Sequence, residues 1–137
     1  MAHDSIRTFE DLECWKACRG LRVFVARSLC KTLPKDERYR LGDQILRSAR
    51  STTANIAEGY GRFHYLDNAK FCSNARGSCW ETIDPMITAN DEELISQDLL
   101  DQGRAVAARA VALLNGYISY LRKAASTKLP LEGGFSI

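Results

Sequence analysis

Apolar residues recur at intervals of three and four along four stretches of the chain, with polar clusters between them. In the first stretch Leu12, Trp15, Leu21, Phe24, Val25 and Leu29 follow Thr8-Phe9-Glu10-Asp11. Residues at that spacing share one face of a helix, so the pattern predicts a helix over about 10–33. Thr8 is placed to cap its free backbone donors, and Glu10 and Asp11 put negative charge at the positive end of its dipole. Gly20 interrupts the run at a cost of up to ~1 kcal/mol relative to alanine, which predicts a close contact there. Leu33-Pro34 ends the helix, because proline disfavours helical geometry in the residue before it.

Lys35-Asp36-Glu37 is a short connection with Asp36 as the cap of a second helix over about 38–62. Leu41, Ile45, Ala49, Thr52, Ile56 and Gly59 form its apolar face. A polar stripe of Gln44, Ser48, Ser51, Asn55, Glu58 and Arg62 runs beside it at the same spacing, which predicts a helix contacted on two sides. Gly59 and Gly61 then close the helix, since glycine can take the left-handed conformation. A third helix starts near Tyr65, with Leu66, Ala69, Cys72, Ala75, Cys79, Ile83 and Met86 on one face. Pro85 falls inside that pattern and predicts a kink or an end near Asp84. Residues 89–95 read as a polar connection, and Ser96 caps a fourth helix that continues to about 126. Its inner face is Leu99, Val106, Ala110, Leu113, Tyr117 and Leu121, and Arg122 and Lys123 suit its carbonyl end. No stretch alternates as a half-buried strand over more than a few residues. Four helices of similar length with short links give an all-α fold, an antiparallel up-down four-helix bundle. It forms one domain over 1–126, with a loose tail at 127–137 holding Pro130 and Gly133-Gly134.

With 137 residues, 45% of them hydrophobic, the chain is long enough for one substantial core. A net charge of +2 does not by itself imply a nucleic-acid or membrane partner. Its distribution says more: segment 65–95 sums to −4, whereas 10–33, 38–62 and 96–126 sum to +2, +3 and +2. That asymmetry fits pairing between copies at least as well as a foreign partner. No apolar run reaches the ~20 residues that span a bilayer, and the first residues carry no signal pattern. Five cysteines within helical patterns read as reduced thiols of a cytoplasmic protein.

Several constellations of residues could carry chemistry. Cys14 and Cys18 stand one turn apart with His3 close in sequence, but a zinc site wants more ligands at compact spacing, so no metal is expected. A di-iron bundle needs Glu-x-x-His motifs, and neither His3 nor His64 follows a glutamate at that spacing. Glu58 is the one carboxylate with a case for catalysis, and a glutamate among Asn55 and arginines is more often an ion-pair partner. No catalytic residue, cofactor or small-molecule substrate is expected. On the third helix Asn74, Gly77, Ser78 and Glu81 recur at three and four. With Gln44, Asn55, Glu58 and Gly59, and with Arg47 and Arg50 nearby, they predict a polar network between helices two and three or between subunits. Such a network specifies pairing more than it adds stability. The alternative is binding of RNA or single-stranded DNA through Arg38, Arg40, Arg47, Arg50 and Arg62, with Tyr39, Tyr60, Phe63 and Tyr65 as stacking groups.

Four motifs carry a resemblance. Phe9-Glu10-Asp11-Leu12-Glu13-Cys14-Trp15 resembles a Phe-x-x-Leu-x-x-Trp helix start, and Leu41-Gly42-Asp43-Gln44-Ile45 a Leu-x-x-Gln-Ile/Leu segment. Asn55-Ile56-Ala57-Glu58-Gly59 matches an Asn-Ile-Ala-Glu-Gly motif, and Ala75 to Glu81 resembles Ala-x-Gly-Ser-x-x-Glu. Together these resemble, over about residues 6–124, the four-helix bundle proteins encoded by intervening sequences in bacterial large-subunit ribosomal RNA genes. The resemblance implies a cytoplasmic bundle without known catalytic activity, assembled as a ring-shaped homopentamer. A related bundle resembles the accessory protein of diversity-generating retroelements, which by analogy points to nucleic acid. The stretch Phe63 to Asn68 and Pro85 depart from the family pattern. Together these readings point to a non-enzymatic, self-assembling scaffold or accessory protein.

Overall fold

The computed structural model describes residues 6–127. The first long helix, α1, comprises Glu13–Phe24, a π-helical segment Val25–Leu29 and a last turn Cys30–Thr32. It is followed by α2 (Leu41–Tyr60), α3 (Tyr65–Asp91) and α4 (Gln97–Ser126). Contacts are richest between α2 and α3 and between α3 and α4, and α1 packs on both α4 and α2. Short links and this neighbour order make the expected antiparallel up-down four-helix bundle. The expected tail at 127–137 lies, apart from Thr127, outside the described residues.

The core forms where the apolar faces meet. Leu21 and Leu29 of α1, Ile45 and Ile56 of α2, Met86 of α3 and Leu114 of α4 are fully buried. Each contributes on the order of 1.5–3 kcal/mol by leaving water. Buried hydroxyls bond backwards along their own helices: Thr52 Oγ1 donates to Ala49 O at 2.7 Å and Thr82 Oγ1 to Ser78 O at 2.7 Å. Among the described residues no buried side-chain nitrogen or oxygen lacks a partner, as close-packed interiors require.

Several ends are as the sequence predicts. Thr8 Oγ1 accepts from the Glu10 backbone N–H at 2.9 Å, and Asp11 closes a capping box. That box caps a 3-10 turn, Phe9–Asp11, and α1 itself begins only at Glu13. Leu33 is extended before Pro34, and Ser96 Oγ accepts from Leu99 N–H at 3.1 Å.

Other expectations are corrected. Asp36 does not cap α2; its carboxylate accepts from the next N–H, at Glu37, within a separate short helix, Lys35–Arg38. That turn brings the Arg38 guanidinium onto Leu33 O and Lys31 O, both at 3.1 Å, satisfying carbonyls at the end of α1. The third helix is not ended by Pro85 but runs on to Asp91, so the connection is shorter than 89–95. The missing amide of Pro85 would have bonded the carbonyl of Glu81, a solvent-exposed residue, where the loss is cheapest. Gly61 follows α2 in a right-handed conformation, φ −76°, and the left-handed residue of the turn is Phe63, φ 61°.

Gly59 stays helical and marks the closest approach of α2 and α3. A Cβ there would meet Asn68 Oδ1 at 2.7 Å and Phe71 Cβ at 2.9 Å. Gly103 plays the same part on α4, where a Cβ would meet Met86 Sδ at 2.8 Å. At Gly20, by contrast, nothing lies within 4 Å, so the close contact expected there is absent among the described residues.

These environments predict opposite signs for one substitution. Gly59→Ala should destabilise by about 1–3 kcal/mol through overpacking, and Gly20→Ala should stabilise by up to ~1 kcal/mol through helix propensity. Urea melts of both variants check this; equal shifts would contradict the packing at Gly59.

Candidate functional site

Of the residues singled out from the sequence, Ser51, Asn55 and Ser78 meet at the seam between α2 and α3. At its centre Ser51 Oγ and Ser78 Oγ are hydrogen-bonded at 2.9 Å across the two helices. Asn55, one turn after Ser51, donates its Nδ2 to Ser51 O at 2.9 Å and Ser51 Oγ at 3.0 Å. Ser78 is buried and Asn55 half-buried. This seam exists because the polar stripe borders the apolar face on α2, and Ser78 sits directly before Cys79 on the inner face of α3.

The rest of the expected network faces outward. Gln44, Asn74 and Glu81 are exposed, and their side chains make no hydrogen bond among the described residues. Glu58 is paired along its own helix with Arg62, Oε2 to Nε 3.1 Å, with half of its side chain in solvent. Exposed ion pairs of this kind contribute little. Gly77 is exposed, and a Cβ on it would have nothing within 4 Å. Beside it Trp80 is 56% exposed, unusual for so large an apolar group. The network within one chain is therefore Asn55, Ser51 and Ser78; Gly59 is buried against α3, and Gln44, Glu58, Asn74, Gly77 and Glu81 face outward.

The arginines of the second segment do not form a common track. Arg38 caps α1, Arg40 pairs with Glu37 at 3.1 Å and Asp36 at 3.7 Å, and Arg62 stacks over the Phe71 ring at 4.9 Å besides its pair with Glu58. Arg47 and Arg50 alone of the five are exposed without a partner among the described residues. Tyr60 is half-buried against Phe9, whereas Tyr39 and Phe63 are more than 70% exposed. Two open cations and scattered rings are a poor footprint for a nucleic-acid strand.

A second polar cluster, not anticipated from the sequence, lies in the core beneath Gly59. Asn68 donates its Nδ2 to Tyr117 OH at 3.2 Å, and its Oδ1 accepts from Cys72 Sγ at 3.4 Å. Cys14, Cys18, Cys72 and Cys79 are all buried, and the sulfurs of Cys18 and Cys79 stand 3.9 Å apart. Burial, with Cys72 and Cys18 nearby, pushes the Cys14 thiol up to about 12, and burial with Cys18 nearby does the same for Cys72. The hydrogen bond to Cys18, with burial, also drives the Cys79 thiol upward. Thiols held protonated in this way are inert packing groups. Among the described residues no three His, Cys, Asp or Glu side chains are grouped to hold a metal; His3 lies outside them.

These thiols make stability depend on alkaline pH. The unfolded chain releases their protons near 9.0, the folded one near 12, so stability is full below pH 9 and falls as pH rises towards 12. Each of Cys14 and Cys72 should contribute a slope of about 1.4 kcal/mol per pH unit in that window. Urea melts at about pH 8 and about pH 10 measure it. A Cys14→Ala/Cys72→Ala variant with the same pH dependence would refute this.

No helix among the described residues is long and apolar enough to cross a membrane. The chain has no match among curated proteins. A family model described as 23S rRNA-intervening sequence protein matches residues 10–116, which takes in three of the four motifs whole, the first from its second residue, and three of the four helices entire. With the bundle fold and the Asn55–Gly59 seam in place, the chain belongs to the family of 23S rRNA-intervening sequence proteins.

Proposed function

We propose that the protein is a non-enzymatic, self-assembling scaffold or accessory protein whose partner is further copies of itself. The observation that carries this reading is the outer face of α3, where Gly77 has open space above it and Trp80 stands 56% exposed. A glycine inside a long helix costs up to ~1 kcal/mol relative to alanine, and no atom of the described residues uses the room it leaves. Asn74 and Glu81 flank it on α3, and Gln44, Asn55 and Glu58 stand across the seam on α2. Small residue, aromatic anchor and polar rim are the parts of a protein–protein contact. The family resemblance supports a closed ring, with five subunits as the proposed number. Five free thiols, four of them buried, fit a reducing compartment, so we place the assembly in the cytoplasm.

The test is native mass by light scattering, where the expected particle is several times the 15.3 kDa chain. Gly77→Leu should reduce it to monomer while helicity in far-UV circular dichroism stays the same, because leucine at an exposed helical position is a better helix former. A wild-type protein that remains monomeric at tens of micromolar would overturn the reading.

A further inference from the structure

The surface that receives Trp80 can be identified on the same chain. A groove of about 300 Å³ opens between the start of α1 and the second half of α4, lined by Leu12, Glu13 and Cys14 on one side and Ala112, Leu113 and Tyr117 on the other, with Gly116 at its edge; the Glu13 carboxylate is paired with Lys16 Nζ at 3.3 Å. A Cβ on Gly116 would have nothing within 4 Å, so this rim is as bare as that at Gly77. The groove is at the small end of the range for binding cavities. It has room for one bulky side chain.

Trp80 stands on α3, none of whose residues lines the groove. Asn115 faces α3, where it accepts from Arg76 Nη1 at 2.7 Å, and Trp80 follows Arg76 by one helical turn. Leu113, two residues before Asn115, lies on the other side of α4, where Leu12 and Cys14 complete the groove, and Tyr117 closes its inner end with its hydroxyl on Asn68. The body of α4 thus separates indole from groove, and the match can be made only between two copies. Charge favours the same pairing. Glu81 and Asp84 flank Trp80 in the segment that sums to −4, and Arg109 lies one turn before the groove residues of α4, in a segment that sums to +2. All three are exposed and without an ion-pair partner among the described residues.

We infer that assembly is head-to-tail, with Trp80 of one copy seated in the α1–α4 groove at Gly116 of the next; this rests on the self-assembly reading above and adds which two faces meet. A contact between different faces is heterologous, and repeats until it closes a ring or runs on as a filament. An isologous contact would instead lay the α3 face of one copy on the α3 face of its partner.

Two single variants and their mixture separate the cases. Trp80→Ala removes the anchor and Gly116→Arg fills the groove, both at exposed positions where the bundle tolerates change. Each alone should fall to the 15.3 kDa monomer by light scattering, with circular dichroism unchanged. Mixed in equal amounts they should form a particle of twice that mass, because one copy keeps its anchor and the other its groove. Loss of assembly in Trp80→Ala with Gly116→Arg still assembled, variants that both stay assembled, or a mixture that stays monomeric would overturn the pairing while leaving self-assembly intact. A monomeric wild type would overturn self-assembly itself.

Discussion

Gly59 sets how closely α2 and α3 approach, and the other contacts of the bundle follow from that distance. With only a hydrogen where a Cβ would sit, the backbone of α2 settles directly onto Asn68 and Phe71. Asn68 is thereby buried and must satisfy its amide inside the protein. Its donor goes to the Tyr117 hydroxyl on α4 and its acceptor takes the Cys72 thiol. The neighbouring thiols Cys14 and Cys18 belong to α1. One close approach therefore ties all four helices together through a small polar cluster. Further along, the same spacing lets Ser51 and Ser78 bond across the two helices. A larger residue at Gly59 would part the helices and leave the amide of Asn68 short of its partners, which is costlier than the contact itself.

The periodicity of apolar positions made the four helices and their order legible, because burial on one face leaves its mark at every third and fourth residue. Local capping chemistry was legible too, at Thr8 and Ser96. Features settled by tertiary contact were not. The Val25–Leu29 π segment has no signature in its composition, and the short helix that brings Arg38 onto the carbonyls of α1 depends on where α1 ends in space. Glycine positions misled in both directions. Gly61 looked like the left-handed residue and is not, whereas Phe63 takes φ 61°. Pro85 reads as a kink or an end because proline costs a hydrogen bond locally, whereas the packing on either side of it carries the helix on to Asp91.

The candidate site was half legible for the same reason. Spacing of three and four places Gln44, Ser51, Asn55 and Glu58 on one stripe, but a stripe is wide enough for one edge to face a neighbour and the other to face water. Ser51 and Asn55 fall on the inner edge, while Gln44 and Glu58 fall outside it. The arginines separate likewise once ends are fixed, since Arg38, Arg40 and Arg62 are engaged by helix-end carbonyls or acidic neighbours, and Arg47 and Arg50 form no ion pair among the described residues. Asn68 escaped notice because a lone asparagine in a helix has no spacing partner to announce it.

The helical glycines divide by what surrounds them, and that division separates folding from association. Gly42, Gly59 and Gly103 each have atoms of the chain within 3.4 Å of a Cβ position, so their smallness is used inside the bundle. Gly20, Gly77 and Gly116 have none. Open space alone does not mark a contact, because a glycine on a solvated face is only a weak helix former. Gly77 and Gly116 differ from Gly20 in their neighbours: one adjoins an exposed indole, the other an apolar groove of a size to hold it. The acidic surroundings of the first and the basic approach to the second add direction, since exposed charges contribute little where they stand but steer association and penalise the wrong pairing. A bundle closed by three covered glycines thus carries, on two other faces, the complementary halves of a contact that it cannot make with itself.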